Sequence, residues 1–208
     1  MNKYSPRDVG SGMPMKLRVL PRKFYARDTV RVAKCLLGKR LVRVKGRSRM
    51  GGRIVEVEAY RGLDDPASHA FRGPTPRNAP MFGEPGHAYI YFTYGNHYCL
   101  NITTQATGTP GAVLIRAVEP IEGLQAMRSL RPNVSDPNLT NGPGKLTKAL
   151  GIDRALNEVD VTKPGLLFVA DSDETQFEIT RSARVGISRG IDLLWRFYIT
   201  GNPYVSKR

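Results

Sequence analysis

The residue types best suited to chemistry gather between Gly52 and Asn101 of this chain. In GRIVEVEAY (52–60) a period of two puts Ile54, Glu56, Glu58 and Tyr60 on one face of an extended strand and Val55, Val57 and Ala59 on the other. Paired carboxylates can divide acid and base work, and one alone can activate water beside a developing positive charge. The same pattern also describes an acidic face turned to water and matched by nearby Arg and Lys. Company tips the balance. His69, Tyr89, Tyr91, Tyr94 and Asn101 all arrive by residue 101, an aromatic and amide set that can sandwich a planar ring and read its edge.

Other chemistries fail on spacing. GPGK resembles a phosphate loop, but Leu139 stands where a P-loop needs Gly and Leu146 where it needs Ser or Thr. His97 and Cys99 are the only close pair of metal-ligand types, and no Cys-x-x-Cys occurs, so neither a zinc site nor a zinc deaminase signature is expected. No metal and no cofactor are predicted.

The elements that must hold these residues can be read from periodicity. RDTVRVAKCLLG has an N-cap at Asp28 or Thr29, apolar Val32, Cys35 and Leu36 at helical spacing, and a stop at Gly38. KRLVRVKGRSRMGGRIVEVEAY reads as a basic hairpin leading into a strand at about 52–60. Residues 61–87 are rich in turn formers and form a long loop, which in a compact domain is usually functional or mobile. AYIYFTYGNHYCLNITT is a hairpin about Gly95-Asn96, with Tyr94 and His97 beside the turn. GAVLIRAVEP is a strand; Ile121, Leu124, Met127 and Leu130 share a helix face; GPGKLTKALGI opens a short helix; strands at about 165–170, 176–181 and 194–200 complete a mixed α/β domain. Residues 1–16 have no periodicity and are expected to be a flexible leader to a single domain over 17–208.

Composition agrees with a globular chain of 208 residues, 40% hydrophobic and 24% charged. Its formal net charge is +14, of which +13 falls within residues 1–50. A cationic block of that size argues for a polyanionic partner, nucleic acid first, through counterion release. Cys35 and Cys99 are too few for a disulfide framework, no secretory signal is visible, and no stretch is long enough to span a membrane. The expected setting is the cytosol, in association with DNA, or the nucleus of a nucleated cell. A monomer is the default.

EVEAYRGLDDPASHA, GPTPRNAPMFGEPGHAYIYFTYGNHYCLNITTQ, GAVLIRAVEPIEGLQAMR, NGPGKLTKALGI and ARVGIS, in that order, resemble the alkyladenine (3-methyladenine or N-methylpurine) DNA glycosylase family over about residues 19–206. The resemblance implies a single mixed α+β domain with a curved antiparallel β core, a protruding β-hairpin and surrounding helices. It implies a partner, double-stranded DNA carrying a damaged purine, and a catalytic water. Glu58 matches the carboxylate that deprotonates that water as it attacks the sugar C1′. Arg116 matches the basic residue that helps hold the water and faces the DNA backbone. Tyr60 and His69 match the two faces around a flipped base, Tyr91 its edge-on aromatic, and Asn101 the floor amide that crowds the exocyclic amine of guanine. Tyr94 matches the wedge that fills the vacated stack, while Thr75, Arg77, Gly142 and Lys145 are expected at the DNA backbone. Met81 is expected to pack beneath the DNA surface, and both cysteines to be buried thiols.

Those roles suit the physics of extrusion. Flipping a nucleotide costs a few kcal/mol, recovered by a wedge and by aromatic stacking. A carboxylate rather than an amine at the catalytic position predicts a monofunctional hydrolase without strand cleavage. The rival expectations are a non-catalytic nucleic-acid-binding protein on the same scaffold and a glycosidase of free nucleosides, which needs neither wedge nor basic surface. General-acid help from Glu56 is a further expectation, because it shares a strand face with Glu58.

Overall fold

The computed structural model describes residues 17–172 and 176–206, so the expected leader over 1–16 lies outside the described residues. Two helices open the fold, α1 (Arg22–Tyr25) and α2 (Thr29–Leu36). Asp28 caps α2 by accepting the Arg31 N–H at 2.9 Å, and Val32, Ala33 and Leu36 are buried. Then come β1 (Arg40–Lys45), β2 (Ser48–Tyr60), β3 (Ala88–Thr93), β4 (His97–Thr103) and β5 (Ala112–Glu122). Helices α3 (Leu124–Leu130), α4 (Asp136–Leu139) and α5 (Pro143–Leu150) precede the short strands β6 (Leu167–Ala170), β7 (Ile179–Ser182) and β8 (Arg196–Ile199).

All strands join one antiparallel sheet, in the order β3-β4-β5-β2-β1-β6. The long strand β2 exchanges partners along its length: β1 pairs with residues 48–53, and β8, itself paired with β7, takes over at Glu56–Glu58. Register shifts against β5 fall at this exchange, between Ile54 and Glu56 and between Glu56 and Val57. Bulges bend and twist a strand, and here they curl the sheet. Gly51 and Gly52 allow the close approach it needs: a Cβ on Gly52 would lie 2.4 Å from the Glu119 carbonyl oxygen. The result is a mixed α/β single domain built on a curled antiparallel sheet with several helices around it. One sheet face, carrying Val57, Ala59, Ile90, Leu100, Ile102, Val113 and Ile115, packs on α2 and on Leu146, Ala149 and Leu150 of α5 as the main core.

Several expectations shift. Ile54, placed with the carboxylates by strict alternation, is packed in the main core, because the adjacent bulge resets the phase. Strand β2 starts at Ser48 rather than near 52. Ile121 belongs to β5 and is exposed, so α3 begins only at Leu124. The β3–β4 hairpin turn holds three residues, because Thr93 pairs with His97 and leaves Tyr94, Gly95 and Asn96 as the tip. The 61–87 loop contains one 3-10 turn, Ala79–Phe82. Cys99 is buried, but Cys35 is only half-buried.

Candidate active site

Register across the sheet aligns Tyr89, Asn101, Leu114, Glu58 and Arg196 as one transverse row over β3, β4, β5, β2 and β8. Side chains two residues apart share a face. On the face away from the main core, Tyr89 and Tyr91, Cys99 and Asn101, Leu114 and Arg116, and Tyr60 therefore line a common cavity of about 210 Å³. His69 and Met81 from the long loop and Val185, Gly186 and Ile187 from a later one close it. Sheet alternation puts Tyr60, Tyr91, Asn101 and Arg116 together, and the loop adds His69.

The aromatic wall is held by specific contacts. His69 and Tyr91 have ring centroids 4.6 Å apart at 65°, and Tyr91 lies 5.4 Å from Tyr89. His69 Nδ1 is 2.9 Å from the Tyr89 hydroxyl. Burial and the nearby Arg77 charge hold the His69 pKa below the usual histidine range, so the imidazole is neutral at pH 7. Burial also pushes the Tyr89 phenol up to about 12 and the Cys99 thiol up to about 11, which keeps both protonated. Asn101, at the cavity wall, is fixed by donating from Nδ2 to the Tyr89 carbonyl at 3.0 Å.

Glu58 is fully buried behind this lining. Its Oε2 accepts the Tyr60 hydroxyl at 2.8 Å, its Oε1 accepts the Val185 N–H at 2.7 Å, and Arg116 Nη1 lies 3.4 Å from Oε1. The Tyr60 phenol, raised well above its ordinary range by burial and by Glu58, remains a donor. Burial pulls the Arg116 guanidinium pKa down, but Glu58 and Glu56 more than offset this. Glu56 does share the carboxylate face, yet its role differs from the one expected. Its carboxylate accepts Arg116 Nε at 2.9 Å, Arg196 Nε at 2.7 Å, and both the N–H and the hydroxyl of Ser206, at 2.7 and 2.8 Å. A fully buried carboxylate that accepts from four donors, two of them guanidinium N–H groups, is engaged as an acceptor on both oxygens, so general-acid work by Glu56 is not supported. It aims Arg116 instead.

Outside the cavity, Tyr94 stands 77% exposed at the hairpin tip with φ 50°. Beside it a second, more open groove runs past His97 and Arg116 to Arg131, Asn141, Gly142, Lys145 and Lys148. Gly142 caps α5, and Lys145 donates to Asn141 Oδ1 at 2.8 Å. Gly144 is required here, since a Cβ would meet the His97 ring at 2.4 Å. Thr75 is exposed, and its backbone N–H donates to Asn78 Oδ1 at 2.6 Å. Arg77 is not confined to an outer position: its guanidinium lies 5.3 Å from the Tyr91 ring centroid, at the cavity rim. Met81 is buried under the cavity with Tyr89, Ala70 and Ala112.

Fold and cavity suit a protein that encloses a planar ring against a buried carboxylate. Comparison with known proteins makes the class specific. A family model described as methylpurine-DNA glycosylase matches residues 23–203. A protein of Carboxydothermus hydrogenoformans is 50% identical over 91% of this chain and 100% of its own length. One of Methanocella arvoryzae is 51% identical over 91% and 96%, and one of Burkholderia lata 49% identical over 90% and 91%. All three bear names assigning them as 3-methyladenine DNA glycosylases. The chain belongs to the methylpurine-DNA glycosylase family, hydrolases that act on the N-glycosidic bond in DNA.

Besides Arg196, four residues at this site were not singled out by the sequence reading. Val185 contacts Glu58 through its backbone, Ser206 completes the Glu56 shell, and Asp65 and Arg184 form a buried ion pair behind Tyr60. Arg184 lies in ARVGIS, one of the segments that carry the resemblance, but as a lone charge among small and apolar residues it gives no sign of its role.

Proposed function

We propose that this protein is a monofunctional glycosylase that flips a damaged purine out of duplex DNA and hydrolyses its glycosidic bond, leaving an abasic site. Its substrates are 3-methyladenine, 7-methylguanine, hypoxanthine and ethenoadenine. The observation that carries the reading is the Glu58 carboxylate, bonded to Tyr60 and facing Arg116, beneath a cavity of purine-stacking aromatics. Departure of the base builds oxocarbenium-like charge on the sugar, which a carboxylate stabilises while it takes a proton from the attacking water. The Tyr60 hydroxyl and the Val185 N–H each occupy one acceptor site of Glu58, and a carboxylate offers about four, so the attacking water has a site left on it. Tyr60 and His69 stack on the two faces of the base, Tyr91 meets its edge, and Asn101 crowds the exocyclic amine of guanine.

Tyr94 fills the vacated stack, and Arg77, Thr75, Gly142 and Lys145 meet the DNA backbone. Among the described residues no lysine lines the cavity, which supports simple hydrolysis over Schiff-base chemistry. The protein acts as a monomer and needs no cofactor. Borohydride treatment during turnover is expected to trap no covalent DNA adduct; a trapped adduct would show a lyase. Excision of each of the four lesions from otherwise identical duplexes tests the substrate range, and a lesion left intact is removed from it.

A further inference from the structure

The fully buried Arg184–Asp65 pair has no part in the chemistry above, although it lies against the Tyr60 ring on one side and holds the start of the loop that leads to His69 on the other. Arg184 Nη1 donates to Asp65 Oδ2 at 2.5 Å and Nη2 to Oδ1 at 2.7 Å, a bidentate pairing, and Nη1 also donates to the Ala59 carbonyl at 2.9 Å. Ala59 lies between Glu58 and Tyr60 on β2. The guanidinium carbon sits 4.7 Å from the Tyr60 ring centroid and 5.3 Å from that of Trp195, while Arg184 Nε has no hydrogen-bond partner. Asp65 in turn organises the loop that carries His69, accepting the Arg61 N–H at 3.2 Å and the Ala67 N–H at 3.1 Å. The residue after Arg184 is Val185, whose N–H holds Glu58.

A buried ion pair is weak evidence for stability, since its desolvation cost can exceed its Coulomb gain, and an unpartnered buried N–H adds to the cost. What the pair does supply is fixed geometry. Tyr60 stands on a strand and His69 on a loop, with no direct contact between them among the interactions described above; Arg184 grips the first and Asp65 shapes the second.

We propose that Arg184 and Asp65 are positioning residues that set the gap between the Tyr60 and His69 faces, and hence the seating of the extruded base over Glu58. The proposal rests on the stacking roles given to Tyr60 and His69 above. Neither residue touches the substrate. Arg184→Lys keeps the charge opposite Asp65 but loses the bidentate fork and the flat face against Tyr60.

The test is single-turnover excision of 3-methyladenine from methylated duplex DNA by wild type, Arg184→Lys, Asp65→Asn, Tyr60→Ala and the double variant Arg184→Lys/Tyr60→Ala. With enzyme saturating over DNA, a partly unfolded preparation raises the total enzyme needed to reach the plateau, whereas the plateau rate constant reads only folded, bound enzyme. Excision by wild type tests the glycosylase reading, and the variant-to-wild-type ratios test this one. The expected result is a rate constant lowered about 10- to 100-fold in Arg184→Lys and in Asp65→Asn, as for a reacting group misplaced by about 1 Å. Affinity for undamaged duplex stays within about twofold, and Arg184→Lys costs little further in the Tyr60→Ala background. A wild-type rate constant in both single variants, or losses that multiply fully in the double variant, would overturn the proposal.

Discussion

Glu58 and Tyr60 are tied by one hydrogen bond, which separates two jobs of the tyrosine. Tyr60→Phe keeps the stacking ring, and its single-turnover excision rate is expected to stay within about tenfold of wild type, whereas Tyr60→Ala loses a stack worth about 1–3 kcal/mol and falls further. Equal losses in the two variants would mean that the hydroxyl, not the ring, is what the site uses. Glu56 makes the opposite kind of prediction. Removing one member of a buried charge cluster costs about 3–5 kcal/mol, so Glu56→Gln is expected to lower the thermal midpoint well before it informs on catalysis, and an unchanged midpoint contradicts the geometry. His69 carries a pH signature. Its folded pKa is depressed, so below about 6.5 the unfolded chain binds a proton that the folded site resists. Stability then falls as pH drops through that window and is indifferent to His69 above it; melts of wild type and His69→Gln across pH 5–8 should show this component only in wild type. At this scale the candidate site was legible where the two-residue period survives, at Glu58 and Tyr60. Ile54 was misplaced because one bulge resets the phase, and Arg184 escaped notice because its partner Asp65 is distant in sequence.

Hairpins and strands were the legible elements, since alternation and turn residues are local signals. The β3–β4 hairpin appears where Tyr94-Gly95-Asn96 interrupts alternation, and Asp28 marks the start of α2. Partner exchange along β2 was not legible, because nothing local tells a 13-residue strand to pair with β1 in one half and β8 in the other. That exchange curls the sheet and brings Arg196 and Ser206 to Glu56. The tip itself is separable from the scaffold. Tyr94 is exposed, so Tyr94→Ala should change stability by no more than about 0.5 kcal/mol while weakening excision from duplex DNA. Excision unaffected by this change would show that the tip does not enter the helix.

Charge belongs to the whole molecule. The basic block of residues 1–50 argued for a polyanion, yet much of its described part is used internally: Arg18 and Lys39 pair with Asp171, Arg22 with Asp160 and Arg49 with Glu122, while Arg43 donates to the Val44 and Leu166 carbonyls. The cations around the cavity and its neighbouring groove, Arg77, Arg116, Arg131, Lys145 and Lys148, come from the later chain. Net charge therefore pointed to the DNA substrate that the family implies, while the cations nearest the cavity lie outside the basic block. Duplex affinity is expected to fall steeply with salt, and Lys145→Ala to reduce the log–log slope by about 0.9, the loss of one phosphate contact. Lys34→Ala, on α2 behind the sheet, should leave the slope unchanged; a reversed pattern would move the DNA to the other face.

The central claim, that Glu58 beneath the aromatic cavity is the base of a hydrolytic excision, is tested most directly by single-turnover release of 3-methyladenine from methylated duplex DNA by wild type and Glu58→Gln. A rate lower by about 10²–10⁴ in the variant, with duplex binding retained, is the predicted result. A variant that excises as fast as wild type would contradict it.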